Sequence, residues 1–232
     1  MNNRLLSVGG FLLALLFSGI SLAAHHEEGE GASDNYVLMS SYEIAYGQNP
    51  ADLEKELVEL QKQQEADGFN NCGLYRHQYG GKRAFYGYCF FSDYEQFDAI
   101  QKKSQANSPM ASIQNYGSHT DNLLQVQKRN IKAAPDNIVS MTWRFGPYLT
   151  VNERQERADL LFDAFNRAFE GCNLYFHAWG PEMAHYISCG FKDFSDFGKK
   201  DAAINEILAK ELADAKLDIK DHSDDLLVRV MD

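Results

Sequence analysis

Cysteine is scarce in this 232-residue chain: there are four, and none forms a Cys-x-x-Cys pair. Without that spacing a zinc–thiolate site has no footing, and no metal centre is expected. Basic residues are also in short supply, 22 Lys and Arg against 33 Asp and Glu. The resulting net charge of −11 argues against nucleic acid and anionic membrane surfaces as partners. Beyond the first two dozen residues no stretch is apolar enough to span a bilayer, which takes roughly 20 residues. The chain carries no Gly-rich nucleotide loop, no Ser nucleophile elbow and no His-x-x-x-His pair. Dehydrogenase and hydrolase readings therefore have no support.

What is present begins with a secretory signal over residues 1–24. Arg4 supplies the positive start, Phe11 to Phe17 the apolar core, and Ser21-Leu22-Ala23 or Leu22-Ala23-Ala24 the small-residue cleavage site. The apolar run is too short for a membrane span, so none is expected once the signal is removed. Cleavage takes away one base, Arg4, and no acid, leaving 21 basic and 33 acidic residues. Residues 25–35 form an acidic, Gly-containing tail with nothing to bury, read as a flexible linker. Periplasmic or secreted localisation follows, and an even cysteine count in an exported chain favours disulfides.

The rest of the chain is written twice. Cys72-Gly73-Leu74-Tyr75-Arg76-His77-Gln78-Tyr79-Gly80-Gly81 is answered by Cys172-Asn173-Leu174-Tyr175-Phe176-His177-Ala178-Trp179-Gly180-Pro181, at a constant offset of 100 positions. The following runs, Ala84–Phe91 and Ala184–Phe191, keep the same spacing. Around each hairpin the elements repeat. A strand at Val37–Ile44 matches one at Ile138–Phe145, both in residue types that suit a pleated surface. A helix opens at Asn49-Pro50, carries Leu53, Leu57 and Leu60 on one face and closes at Gly68. Its counterpart opens with a Thr150/Glu153 capping box and closes at Gly171. Ser92-Asp93-Tyr94-Glu95 reads as another capping box before the second helix, and Asp193 opens the fourth. A looser polar stretch, 104–118, leads to a strand at Asn122–Gln127, and Asp225–Val230 closes the second half. His119-Thr120-Asp121 and His222-Ser223-Asp224 precede these last strands as turn-like segments. The order β-α-β-β-α-β is the split ferredoxin-like unit. Residues 36–128 form the first unit, 129–136 a linker and 137–232 the second.

A Gly80-Gly81 two-residue turn would oppose Cys72 to Cys89, Tyr75 to Tyr86 and His77 to Ala84. The second hairpin, with Gly180-Pro181 at its tip, gives Cys172–Cys189, Tyr175–Tyr186 and His177–Ala184. Two disulfides, Cys72–Cys89 and Cys172–Cys189, are expected. Alternation then sorts the faces. Cys72, Leu74, Phe85, Cys89 and Phe91 point to the helices, as do Cys172, Leu174, Phe176, Ile187, Cys189 and Phe191. Tyr75, His77, Tyr79, Tyr86 and Tyr88 point the other way, as do Tyr175, His177, Trp179, Tyr186 and Ser188. A four-stranded sheet with both helices on one face leaves the other bare. Two such faces would pack against each other.

In this element order and duplication the chain resembles the dimeric α+β barrel superfamily, which includes antibiotic-biosynthesis monooxygenases, EthD-like proteins, Dabb-type cyclases and haem-handling relatives. Most members build the barrel from two chains. The resemblance implies an α+β fold in which two tandem ferredoxin-like (βαββαβ) units of one chain form a pseudo-dimeric barrel. It also implies a small hydrophobic or aromatic ligand between the sheets, and a cofactor-independent monooxygenase, cyclase or isomerase activity. No cofactor is expected. Haem is the minor alternative, because the catalytic His of the haem-handling branches lies on a helix and no His falls in a helix here. Candidate catalytic residues are His77, His177, Tyr75 and Tyr175, with Tyr86, Tyr186, Tyr79 and Trp179 as ligand contacts. His is the better proton acceptor near neutral pH, since its ordinary pKa is about 6.5 and that of Tyr about 10. A non-catalytic ligand- or haem-binding protein and an interaction domain are the competing classes. A homodimer through sheet edges or helices is compatible with all of them.

Overall fold

The computed structural model describes residues 33–107 and 116–231. The signal segment, most of the acidic tail and the centre of the 104–118 stretch lie outside the described residues. The first half runs β1 (Tyr36–Ile44), α1 (Pro50–Asp67), β2 (Cys72–Gly80), β3 (Ala84–Phe91), α2 (Tyr94–Asn107) and β4 (Tyr116–Arg129). The second repeats the order as β5 (Asn137–Phe145), α3 (Val151–Phe169), β6 (Cys172–Trp179), β7 (His185–Phe191), α4 (Phe194–Glu211) and β8 (Ile219–Arg229).

All eight strands pair antiparallel in one closed barrel, in the order β1-β3-β2-β8-β5-β7-β6-β4. Two seams join the halves: β2 pairs with β8, and β4 with β6. Among the described residues closure leaves no free edge strand in the barrel. The hairpin registers are those expected from alternation. Cys72 lies opposite Cys89 and Tyr75 opposite Tyr86; Cys172 lies opposite Cys189 and Tyr175 opposite Tyr186. Both cysteine pairs are disulfide-bonded.

Local chemistry explains the element ends. Asn49 caps α1 by accepting from Ala51 N, Pro50 is its first residue, and Gly68 terminates it. Thr150 and Glu153 form the expected capping box on α3, but the residue in the left-handed region after it is Glu170 rather than Gly171. At α2 the cap sits one residue later than the sequence pattern indicates. Asp93 accepts from Gln96 N, and Gln96 reaches back to Ser92 N. Strands β4 and β8 begin well before their apolar stretches. His119 and His222 therefore lie within strands rather than in turns.

The hairpin tips also differ from a two-residue turn. Beyond Arg76, β2 leaves β3 and follows β8, slipping register between His77 and Tyr79; β6 does the same along β4 between His177 and Trp179. Gln78 and Ala178 are the extra residues of these bulges. Past each bulge the chain passes so close to its new neighbour that a Cβ on Gly80 would stand 2.4 Å from Asp224 O, and one on Gly180 2.4 Å from Asn122 Oδ1. Both residues have positive φ, 102° and 137°. Only glycine meets both demands without strain.

The core has three layers. Helices α1 and α2 cover one arc of the barrel with Leu53, Leu57, Leu74 and Phe85, and with Phe69, Phe91 and Ile100. Helices α3 and α4 cover the opposite arc with Leu161, Phe162, Leu174, Ile187 and Ile204. Inside the barrel, Val37, Phe90, Leu124, Tyr175 and Tyr186 form one cluster, and Tyr75, Ile138 and Leu227 another. Burying one Leu or Phe contributes roughly 1.5–3 kcal/mol, so these layers dominate stability.

Candidate functional site

The lumen is not uniformly filled. On the first-half wall, Met39 pairs with Tyr88 across β1 and β3; the equivalent pair on the second-half wall is Ser140 with Ser188 across β5 and β7. Tyr88 itself lies flat over Gly73, where a Cβ would meet its hydroxyl at 2.4 Å. The equivalent partner of Ser188 is Asn173. Two bulky side chains on one wall thus face two hydroxymethyl groups on the other. The result is a cavity of about 270 Å³ that both serines, Tyr75, Tyr86, Tyr88 and Tyr175 help to line. This is near the lower end of small-molecule sites, which span roughly 300–1,000 Å³.

The interhalf segment 130–136 closes one end. Asn173 Oδ1 accepts from Asn130 N and Ile131 N, both at 3.0 Å, and Tyr75 OH donates to Pro135 O at 2.9 Å. Ile131 to Pro135 line the cavity from above. Burial raises the pKa of the Tyr75 and Tyr88 hydroxyls, and pushes Tyr175 up to about 12 despite the bond it accepts from Asn173 Nδ2. These hydroxyls stay protonated at neutral pH and act as hydrogen-bonding groups.

Deeper in the barrel, Tyr86 OH donates to Asp225 Oδ2 at 2.7 Å, and Asp225 Oδ1 lies 2.8 Å from His77 Nδ1. With Asp225 ionised, Nδ1 carries the proton and Nε2 is left as the acceptor. Burial raises the Asp225 pKa, while the bonds from Tyr86 and His77 draw it back. Burial and the Asp225 charge together raise Tyr86. The second half has the same frame with different chemistry. Asn122 occupies the position of Asp225, and Tyr186 OH turns to Glu182 at 3.2 Å, a carboxylate that Arg144 also holds at 3.0 Å. His177 Nδ1 and Asn122 Oδ1 are buried without a hydrogen-bond partner among the described residues.

No protein-family model and no curated protein matches the sequence. Solved structures do match. A provisionally named monooxygenase from Fusobacterium nucleatum subsp. nucleatum ATCC 25586 superposes with a TM-score of 0.60 at 11% identity, over 86% of this chain and 94% of that one. Another, from Lactobacillus acidophilus NCFM, gives 0.59 at 11% identity, over 85% and 94%. An anthrone oxidase-like protein gives 0.54 at 10% identity, over 85% and 92%. The likeness is one of fold. It leaves the chemistry to this chain's own residues.

Of the eight catalytic and ligand-contact positions singled out in the sequence, Tyr75, Tyr175 and Tyr86 line the cavity; His77, His177 and Tyr186 are not among its lining residues. Asp225 stands beside His77, its Oδ1 2.8 Å from Nδ1. Tyr79 and Trp179 do not face the lumen as alternation alone indicates, because the bulges at Gln78 and Ala178 reverse them. They stand at the rim, 61% and 68% exposed, and Tyr79 packs edge-on against Phe194 of α4. His119 and His222 lie on the outer faces of β4 and β8, stacked on Tyr42 at 4.5 Å and on Trp143 at 4.7 Å. His119 Nε2 bonds Asp121 at 2.9 Å.

Sequence reasoning missed Asp225, Ser140 and the part played by Ser188. Continuing the alternation of Leu227 and Arg229 would have placed Asp225 in the lumen. Nothing in the sequence announces that β8 runs beside β2, and that pairing alone brings Asp225 to His77.

No cluster of three or more metal-ligating side chains exists among the described residues. Haem iron takes a His, thiolate, Met/His or phenolate ligand, and of these donors the cavity lining offers the thioethers of Met39 and Met231 without a His to pair them. No His lines it, Cys72 is committed to a disulfide, and burial keeps its tyrosines from the phenolate form. The described part of each of the four helices is free of His.

Proposed function

We propose that the mature chain, exported to the periplasm or secreted after removal of residues 1–24, binds a small hydrophobic or aromatic molecule inside the barrel. Residues 36–128 and 137–232 act as the two ferredoxin-like units of a pseudo-dimeric barrel, with 129–136 as the linker that roofs the site. The observation that carries this reading is the cavity of about 270 Å³ walled by Tyr75, Tyr88 and Tyr175. Tyr rings offer flat apolar walls and hydroxyls that orient a polar substituent. Untargeted native mass spectrometry of the purified mature protein tests it. A bound compound of a few hundred daltons, lost when the cavity is filled by Ser188→Phe, is the expected result. A protein without ligand that also fails to bind any member of an aromatic fragment library would refute the reading.

The Tyr86–Asp225–His77 network favours a second reading, that the site also turns its ligand over as a cofactor-independent oxidase or isomerase. Tyr86 lines the cavity and donates to Asp225, whose other oxygen holds His77 behind it, so a proton exchanged at Tyr86 has an acid–base pair outside the lining to draw on. Asp225→Asn would then abolish turnover while leaving ligand affinity within about threefold. Equal loss of both assigns the network to binding alone.

A further inference from the structure

We propose that the cavity selects anionic ligands, an aromatic carboxylate being the simplest class, with the acid group held at the linker end by Arg129, Arg229 and Lys132. This rests on the reading of the cavity as the ligand site. The charge census of the lining carries it. The protein has 33 acidic and 22 basic residues, yet the cavity is lined by those three cations and by no Asp or Glu. An acidic chain that lines one cavity with cations alone creates a local potential opposite to its overall field, which draws anions from solution.

Arg129 directly precedes segment 130–136, Lys132 lies in it and Arg229 pairs with its Asp136, so the cations mark the linker end of a cavity that Phe90, Tyr75, Tyr88 and Tyr175 also line. Arg129 lies over the Phe90 ring with its Cζ 4.4 Å from the centroid. Each arginine pairs with an acid outside the cavity lining, Arg129 with Asp34 and Arg229 with Asp136 at 2.9 Å. Those pairs moderate the field of the two arginines, and Lys132 adds a third positive charge to the lining. The Arg129 and Arg229 charges both act to lower the pKa of the Tyr88 hydroxyl, Arg229 that of Tyr75 and Arg129 that of Tyr175, each against the larger effect of burial. Asp136 opposes this at Tyr75 and Glu65 at Tyr88, and burial outweighs it at all three, so the hydroxyls themselves stay neutral while both guanidinium charges reach the lumen. A guanidinium has five donors in a planar fork that matches a carboxylate, so the outer pair does not exhaust Arg129.

The test uses two probes of equal shape, 2-naphthoate and its neutral amide 2-naphthamide, titrated calorimetrically into the mature protein at pH 7 in 50 and 500 mM NaCl. The naphthoate is expected to bind about tenfold or more tightly, because a charge-assisted hydrogen bond is roughly twice as strong as a neutral one. The preference should shrink at least about threefold in high salt, and likewise in Arg129→Gln or Arg229→Gln. Lys132→Gln, on the exposed linker, supplies a variant whose folding is not in question, and thermal melting checks the other two. Equal affinities for the two probes would overturn the anion preference and leave the cavity reading standing. So would a preference unchanged in all three variants. Failure of both probes to bind the parent protein would overturn the cavity reading together with it.

Discussion

Replacing Ser188 by Phe should make the protein more stable and unable to bind its ligand. Ser188 faces a lumen wall whose equivalent in the other half carries Tyr88, so an aromatic ring at this strand position already has a precedent in the same barrel. A buried Phe contributes roughly 1.5–3 kcal/mol. Forcing a ring into a filled core costs about 1–3 kcal/mol, but here it enters a cavity of about 270 Å³, so little of that cost applies. The residue it approaches, Asn173, is already committed to Asn130, Ile131 and Tyr175 and sets a limit to the gain. The net expectation is about 1 kcal/mol, within the usual range for filling a cavity. That corresponds to a rise in Tm of about 2–4 °C for a chain of this size. Differential scanning calorimetry with and without the co-purifying ligand reads both halves of the prediction: the baseline Tm rises, and the ligand-induced shift vanishes. A variant that melts several degrees lower while still binding would show that the space is not available to a side chain at 188. The description of the cavity would then be wrong.

Each disulfide closes a loop of sequence separation 17, for which chain entropy gives about 3 kcal/mol, or roughly 6–12 °C in Tm per bridge. Non-reducing peptide mapping should show Cys72–Cys89 and Cys172–Cys189, and a Cys72–Cys172 link would break the hairpin register. His185 is 2% exposed among Phe145 and Phe176, and burial lowers its pKa to about 4. Its folded pKa lies below the unfolded value of about 6.5, so it contributes no penalty at pH 7 but costs stability as pH falls from 6.5 toward 4, by about 2–3 kcal/mol at pH 4.5. Denaturant titrations at both pH values should show a smaller acid loss in His185→Phe, which copies Phe85 of the other half; equal losses would clear His185 of the effect. Gly80→Ala should cost more than about 2 kcal/mol, since a Cβ there meets Asp224 O at 2.4 Å with φ at 102°. Gly198→Ala, in helix α4 with nothing within 4 Å, should instead gain about 0.5–1 kcal/mol; melts of the two variants moving the same way would contradict this account.

The parts of the fold legible in the sequence are those fixed by short-range rules. Hairpin register follows from period-two alternation and a repeated Cys–Tyr spacing, and the starts of α1, α3 and α4 follow from their capping side chains. Legibility ends where one half meets the other. The bulges at Gln78 and Ala178 exist because β2 and β6 each leave their own hairpin to join a strand from the other half, and no local signal marks that departure. This is why Tyr79 and Trp179 appear inward in the pattern and lie outward in the barrel. Strands β4 and β8 carry polar residues such as His119, Asp121, His222 and Asp224 on a face only partly covered by helices, so hydropathy hides their first turns of pleat. The tyrosines of the site were visible as an aromatic face. The Asp225–His77 contact was not, because it spans 148 residues and depends on a seam between halves.

The unequal walls of the lumen have a consequence for what a barrel of this kind can hold. A barrel made from two identical chains has a two-fold axis through its centre, and every side chain that enters the lumen enters twice. With Tyr88 on both walls that space would be crowded shut; with Ser188 on both it would be wider and lined by the same groups on each side, suited to a ligand with matching ends. A single continuous chain is released from that axis. It can set aromatic bulk against hydroxyls across one lumen, and an aspartate against an asparagine one layer further in. The space that remains has a direction, so a ligand with two different ends can bind in one orientation and meet one acid–base network rather than two.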